Sequence, residues 1–231
     1  MLKNDYMKEV ENTLRLVTEE VDKNIINGDI EKAKERVNKV LKSVVGLDIG
    51  TVDVFSFDTL DGLISKEMQY NAEKFIAFAC LMNLQGKLSN DENSKIQYYE
   101  KSLEGFYKAY TEDEETNSKY LDEAVEAAGE LINYELSLDL DKKIFKIYEL
   151  ANKLDKAEDT LFYMLRKTND DVSMILEGMR FYNRLKEKGK QSTVAQIAVM
   201  RKMVVIAFSL FKNREIYDTN RFLKLDEKRV A

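Results

Sequence analysis

Apolar residues recur at three- and four-residue steps along most of this chain, which is the spacing that an amphipathic helix requires. The pattern breaks at short polar segments, and these breaks divide the chain into successive helices. The predicted helices span residues 2–26, 30–45, 59–65, 70–88, 91–110, 118–137, from Asp139 or Asp141 to 150, 156–166, 170–188 and 193–213. Short loops favour antiparallel neighbours, so we expect an all-α array of antiparallel helix pairs.

Three segments depart from the amphipathic pattern. Residues 70–88 are apolar on most faces, so we expect them to form the central core helix. Residues 46–57 are the least helical stretch, and we expect an irregular connector that packs its apolar side chains inward. The helix from Thr193 to Asn213 is apolar almost all round, so we expect it to pack on the rest of the chain or on a second copy, which would form a homo-oligomer.

Composition agrees with a helical protein. The 231 residues include no proline and only 9 glycines, the two residue types that interrupt helices most strongly. With 44% hydrophobic and 34% charged residues, we expect a globular chain that folds without disulfides. The charged N-terminus does not resemble a secretory signal, and Arg201 and Lys202 lie in the middle of the longest apolar run. We therefore predict a cytoplasmic protein that makes no use of a membrane.

The balance of charge changes near residue 180. Residues 1–179 carry 23 Lys and Arg against 37 Asp and Glu, whereas residues 180–231 carry 13 against 5. Such an asymmetry is typical of a basic segment that meets an acidic partner. We predict two domains: an acidic, repeat-like helical domain over residues 1–180 and a basic, helical C-terminal tail over residues 181–231.

The candidate chemistry is sparse. The chain has no histidine and one cysteine, which excludes Ser-His-Asp and Cys-His catalysis and the common zinc patterns. Cys80 lies in an apolar run, so we expect a buried thiol that packs like a small hydrophobic residue. Glu123, Glu126 and Glu130 share one helix face; a metal site is one interpretation, but such sites also use histidine, which favours a solvated or lysine-paired face. We predict no enzyme activity, no catalytic residues, no metal and no cofactor.

A stripe of aromatic side chains follows the helix predicted at residues 91–110. The candidate partner-binding residues in this stripe are Tyr99, Phe106, Tyr107 and Tyr110. One interpretation is core packing, because large aromatic side chains at helical spacing bury extensive apolar surface. The other interpretation is a groove that accepts a helix or peptide of a partner protein.

Several segments have the features of tetratricopeptide units. Residues 28–33 and 153–158 each place a turn before a small residue at a helix contact, and residues 96–110 have the spacing of aromatic and small residues that is typical of a helix in such a unit. The chain resembles an uncharacterised bacterial family of small, cytosolic, tetratricopeptide-like helical proteins in residues 4–7, 45–48, 71–88, 94–110, 153–158 and 178–185. The resemblance spans most of residues 4–185. It implies a helical repeat-like fold, and it implies no known activity and no catalytic residue.

The C-terminal segment resembles a different family. Its motifs are Phe181-Tyr182-Asn183-Arg184-Leu185, Lys188-Gly189-Lys190, Ala195, Ala198, Met200-Arg201-Lys202-Met203 and a basic aromatic stretch over residues 211–217. They are similar to the C-terminal end of insertion-sequence transposases that combine a resolvase-like acidic domain with a serine-bearing domain. Neither catalytic region is present, so the resemblance implies a transposase fragment naturally fused to a helical domain. The alternative is a helical protein that ends in a basic, apolar helix.

Two functions are compatible with these features. We expect a non-catalytic helical scaffold or protein-interaction module that binds a protein or peptide. The alternative is a transposon-derived nucleic-acid-binding protein or an inactive transposase fragment. In that case the phosphate contacts are expected from Lys186, Lys188, Lys190, Arg201 and Lys202. The acidic body should repel DNA, which favours the first function.

Overall fold

The computed structural model describes residues 3–67, 71–113, 119–169 and 171–187. These residues form α-helices and no strand, which confirms the predicted all-α class. The helices are α1 (Lys3–Asn27), α2 (Ile30–Val44), α3 (Ile49–Val54), α4 (Phe57–Ile64), α5 (Asn71–Leu88), α6 (Glu92–Glu112), α7 (Leu121–Leu131), α8 (Leu138–Leu150), α9 (Leu154–Lys167) and α10 (Val172–Glu187). A short 3₁₀ turn, Ser65–Glu67, follows α4. None of the described helices is long and apolar enough to cross a membrane.

Helix α5 is the centre of the first of two compact units, which cover Met1–Thr160 and Leu161–Ala231. It packs against α1, α2, α4, α6 and α7, and α6 also contacts α7 and α8. Because α5 has neighbours on most sides, its apolar side chains can be buried all round the helix. Phe75, Phe78, Leu81 and Met82 are fully buried. The prediction of a central core helix is therefore confirmed.

Hydrogen bonds at the helix ends explain several of the boundaries. Gly28 ends α1 with a φ of 77°, a conformation that glycine adopts without steric penalty. Its N–H donates to the Ile25 carbonyl at 3.1 Å, and the next N–H, of Asp29, donates to Asn24 at 2.8 Å. This pair of bonds is the Schellman arrangement, and it lets α2 begin immediately afterwards at Ile30.

The predicted irregular connector at residues 46–57 is wrong for most of its length, because α3 and the start of α4 lie within it. Asp48 caps α3: its Oδ1 accepts hydrogen bonds of 2.8 Å from both the N–H and the hydroxyl of Thr51. Val52 is fully buried, and the Lys101 ammonium donates to the Val52 carbonyl. These tertiary contacts and the cap outweigh the weak helix propensity of the β-branched residues.

The predicted helix over residues 118–137 is also too long. Helix α7 begins at Leu121 and ends at Leu131, and the next helix begins at Leu138 rather than at Asp139 or Asp141. Ser137 is the N-cap of α8, because its hydroxyl accepts a hydrogen bond of 3.2 Å from the Leu140 N–H. Serine favours this position over a helix interior, since its side chain competes for backbone donors.

The second unit is described from Leu161 to residue 187, with residue 170 excepted. Within this unit, a Cβ added at Gly178 on α10 would lie 3.4 Å from Cδ2 of Leu161 on α9, so α9 and α10 approach closely there. The predicted domain boundary at residues 180/181 falls inside α10 and does not coincide with the border of the two units. The predicted helix from Thr193 to Asn213 lies outside the described residues.

Candidate functional site

The aromatic stripe on α6 is divided between the interior and the surface. Tyr99 and Phe106 are buried, whereas Tyr107 and Tyr110 are only half-buried. The Lys143 ammonium on α8 lies 5.9 Å from the centre of the Tyr107 ring, so even this ring is partly covered. The four residues therefore do not share one open groove, because half of them pack into the core.

The basic residues predicted to contact nucleic acid all lie near or beyond the end of α10. The side chain of Lys186 lies outside the described part of the chain, as do Lys188, Lys190, Arg201 and Lys202. These contacts stay a prediction.

A cavity of about 480 Å³ lies between α1, α5 and the start of α7, and we name it the α1/α5/α7 cavity. Its lining consists of Glu11, Leu14, Arg15, Thr18, Glu19, Cys80, Asn83, Leu84, Lys87, Tyr120, Glu123 and Glu126. Small-ligand sites generally have volumes of about 300–1,000 Å³ and combine apolar walls with a few polar groups. The cavity has this character, with apolar side chains from two helices and charged side chains from all three elements.

The acidic face of α7 forms one wall of the cavity. Glu126 pairs with Lys87 of α5 at 2.8 Å, and Glu130, one turn further along, pairs with Lys95 of α6 at 2.8 Å. The prediction of a lysine-paired face is therefore confirmed for these two residues. Glu123, one turn before Glu126, forms no ion pair with any lysine or arginine that the structure describes. The third carboxylate of the face thus lines the cavity without an ion pair of its own, and the nearest influence of a cation is that of Lys87, which is already paired with Glu126.

Asn83 fixes the position of α7 relative to α5 beside this carboxylate. The Asn83 side chain is buried, and its Nδ2 donates to the backbone carbonyl of Glu123 at 3.0 Å. Its Oδ1 accepts a hydrogen bond of 2.7 Å from the Ser102 hydroxyl on α6. Because both ends of the amide are satisfied, the side chain has a defined orientation and joins three helices.

Two acidic groups at the start of α7 that line the cavity, Glu123 and Tyr120, have a raised pKa. Burial raises the pKa of Glu123, and the neighbouring carboxylates of Asp122 and Glu126 raise it further, although its own backbone N–H and the Lys87 ammonium act in the opposite direction. Burial also raises the pKa of Tyr120, with a further contribution from Cys80. The cavity therefore disfavours negative charge that has no positive partner.

The sequence predicts a fully buried Cys80, but the structure shows a half-buried side chain that lines the cavity. Burial and the nearby Glu123 carboxylate raise the pKa of the Cys80 thiol well above its ordinary value. The thiol is therefore protonated at neutral pH, and a protonated thiol is a poor nucleophile. This arrangement suits binding better than covalent chemistry.

The remaining described residues offer less chemistry. No group of three or more Cys, Asp or Glu side chains among them is arranged to hold a metal ion. A second cavity, of about 520 Å³, is lined by residues near the end of α2, the 3₁₀ turn and the start of α5, including Gly46, Lys66 and Lys74.

The sequence alone does not reveal the α1/α5/α7 cavity, although three of its lining residues, Cys80, Glu123 and Glu126, stand out in the sequence. The other lining residues come from separate segments, and only the packing of three helices brings them together. On α1, the charged residues Glu11 and Arg15 lie beside the buried Leu14. Charged residues at the border of an apolar stripe are visible in the sequence, and they could have indicated the rim of a site.

Comparisons with known proteins were negative: no family model, no curated protein and no solved structure matches this chain. The resemblances to tetratricopeptide-like proteins and to insertion-sequence transposases therefore stay predictions.

Proposed function

We propose that this chain is a non-catalytic, cytoplasmic helical module that binds a protein partner through the α1/α5/α7 cavity. The observation that carries the proposal is the cavity itself, which combines a buried apolar floor of Leu14 and Leu84 with a charged rim. Protein segments are recognised in such grooves when apolar side chains enter them and polar groups at the edge fix the orientation. Helices α1 and α7 each pack against α5, which holds the walls of the cavity in place before a partner binds.

The ionisation states around the cavity support binding rather than catalysis. The Cys80 thiol and the Tyr120 phenol both have a raised pKa, so neither is poised to act as a nucleophile or a base near neutral pH. The chain also has no histidine, the residue that most often transfers protons in enzymes. The Cys80 thiol and the Tyr120 phenol can donate hydrogen bonds to a partner while remaining neutral.

A repeated turn supports a tetratricopeptide-like, repeat-built scaffold. Asn152, between α8 and α9, has a φ of 55°, and it occupies the position that Gly28 has between α1 and α2. The hydrogen bond after the turn also corresponds. The N–H of Lys153 donates to the carbonyl of Tyr148, five residues earlier, at 2.9 Å, as the N–H that follows Gly28 does to the carbonyl five residues before it. Five residues after each turn residue comes a fully buried alanine, Ala33 or Ala157. Recurrence of one helix-turn-helix unit is the defining property of helical repeats.

The test compares two charge reversals on the same helix face. Glu126→Arg alters the rim of the cavity, whereas Glu130→Arg alters an equally lysine-paired position one turn away that does not line it. Full-length wild-type protein and both variants are used to capture proteins from a lysate of the native host. We expect a partner that binds the wild type and Glu130→Arg and is lost with Glu126→Arg. Equal capture by all three proteins would contradict a role for the cavity.

The charge of residues 180–231, with 13 Lys and Arg against 5 Asp and Glu, supports a second candidate function. In this alternative, the C-terminal tail comes from a transposase by natural fusion, and its basic side chains bind the phosphates of a nucleic acid. Such binding weakens steeply as salt rises, because cations are released from the nucleic acid. Titration of the full chain with random duplex DNA at about 50 mM and about 200 mM salt tests it. Absence of binding at the lower salt concentration would eliminate this alternative.

A further inference from the structure

The charged side chains that line the α1/α5/α7 cavity are unequally neutralised. Arg15 pairs with Glu19 at 2.7 Å, and Lys87 pairs with Glu126 at 2.8 Å. At the edge of the cavity, Lys119 pairs with Glu11 at 3.0 Å. Both lining cations are therefore engaged by carboxylates.

Glu123 is the lining carboxylate that forms no ion pair of its own with a described cation, since Lys87 is paired with Glu126 and acts on Glu123 more weakly, through its charge alone. It is half-buried, so water can compensate its charge only in part. A carboxylate in such a position is stabilised when a positive group arrives and forms a charge-assisted hydrogen bond. An incoming anion would instead meet an excess of negative charge.

The neighbouring surface restricts the occupant further. Leu14 and Leu84, which are both largely buried, form an apolar floor of the cavity beside Glu123. Lysine and arginine combine an aliphatic stem with a charged end, so one such side chain can cover the floor and reach the carboxylate together. A bare metal ion would leave the floor uncovered, and the described residues provide no cluster of three or more ligands for it.

We propose that the α1/α5/α7 cavity binds a basic segment of a protein partner and holds one lysine or arginine side chain of that segment against Glu123. The inference rests on the proposed protein-binding function and adds the chemistry of the partner. The excess of acidic residues over residues 1–179 supports it, because a negative body attracts a basic partner over a distance and accelerates association.

The first experiment selects binders from a library of random peptides displayed on phage, with the immobilised full chain as target. We expect selected peptides to contain a lysine or arginine next to an apolar residue. The tightest peptide is then synthesised in two forms, one with its basic residue and one with uncharged norleucine in its place. Fluorescence anisotropy measures the affinity of both peptides for the wild type and for Glu123→Gln, with Glu130→Gln as the matched control.

A double-mutant cycle reports the contact directly. Removal of the peptide's charge and Glu123→Gln should each weaken binding about tenfold or more, which is the size of effect expected for a close ion pair. The two losses should not add, because each change removes the same contact. Glu130→Gln should leave the affinity unchanged.

Cys80 gives an independent readout, since it is the single cysteine of the chain and lines the cavity. A bound peptide should slow its alkylation by iodoacetamide at alkaline pH, where a larger fraction of the thiol is ionised and reactive, measured from the mass of the intact protein. This readout needs no variant, so it stays valid if Glu123→Gln does not fold.

Four outcomes overturn the proposals, and failure of the function is distinguishable from failure of the inference. A library that yields no binder contradicts both the protein-binding function and this inference. Binders that lack a basic residue, or that bind Glu123→Gln as tightly as the wild type, contradict the inference alone. Binding that leaves the alkylation rate of Cys80 unchanged places the peptide elsewhere on the protein and also contradicts the inference.

Discussion

The close approach of α5 and α6 at Gly105 allows a sharp test of the packing. Gly105 lies in the middle of α6, and a Cβ added there would lie 3.1 Å from both Ala79 Cβ and Phe78 Cδ1. It would also lie 3.3 Å from the backbone carbonyl oxygen of Phe75. Carbon atoms in contact normally lie about 3.5–4.0 Å apart, so the added methyl group would push the α5 backbone away.

Two opposing effects set the stability of Gly105→Ala. Alanine has the higher helix propensity, which favours the variant by about 1 kcal/mol. Overpacking of a tightly packed core costs about 1–3 kcal/mol. Gly129 on α7 provides a matched control, because a Cβ there would meet no atom within 4 Å. Gly129→Ala should therefore raise the free energy of unfolding by about 0.5–1 kcal/mol, the propensity gain without the clash.

The difference between the two variants isolates the packing cost, since the gain in helix propensity is common to both. Urea unfolding followed by far-ultraviolet circular dichroism measures the free energy of unfolding of each full-length variant. We expect Gly105→Ala to be less stable than Gly129→Ala by about 1–3 kcal/mol. If both substitutions stabilise the protein equally, α5 and α6 are not as close as the structure shows and the reasoning is refuted.

Three further predictions follow from individual contacts. Leu81→Ala should lower the free energy of unfolding in urea by about 2–5 kcal/mol, because Leu81 is fully buried in α5; a loss below about 1 kcal/mol would contradict this burial. The hydroxyl and N–H of Ser94 donate to Asp91 and lower the pKa of its carboxyl below the ordinary 3.8. The stability of the wild type relative to Asp91→Ala should therefore be greatest above this pH and fall as the pH is lowered through the native pKa, whereas a difference that does not change with pH would contradict the cap. Burial, with the hydrogen bond to Asp53, raises the pKa of Tyr98 to about 12. The free energy of unfolding in urea should decline more for the wild type than for Tyr98→Phe as the pH rises from about 10 to about 12. Parallel declines of the two proteins would contradict the raised pKa of Tyr98.

The sequence determined the helices better than their ends. The apolar spacing that predicts residues 70–88 also gives α5, observed at Asn71–Leu88, because three- and four-residue steps are a local property of the chain. Ser137 shows where this reasoning fails: the predicted helix ran on to this residue, which instead caps α8. A serine can sit inside a helix or before one, and its hydrogen-bond partner decides which.

Tertiary contacts decided α3. Its residues have weak helix propensity, so local reasoning predicted an irregular connector. The helix exists because Val52 is buried and Lys101, nearly fifty positions along the chain, binds its carbonyl. No local pattern contains that partner.

The candidate site depended on tertiary structure in the same way. The sequence alone placed Glu123, Glu126 and Glu130 on one face, because residues three, four and seven apart share a side of a helix. It could not show that Lys87 and Lys95 neutralise the second and third carboxylates. Nor could it show that the first lies beside Cys80 and Leu84, because that neighbourhood exists only when three helices distant in sequence pack together. Periodicity determines which residues share a face, and packing decides what each face meets.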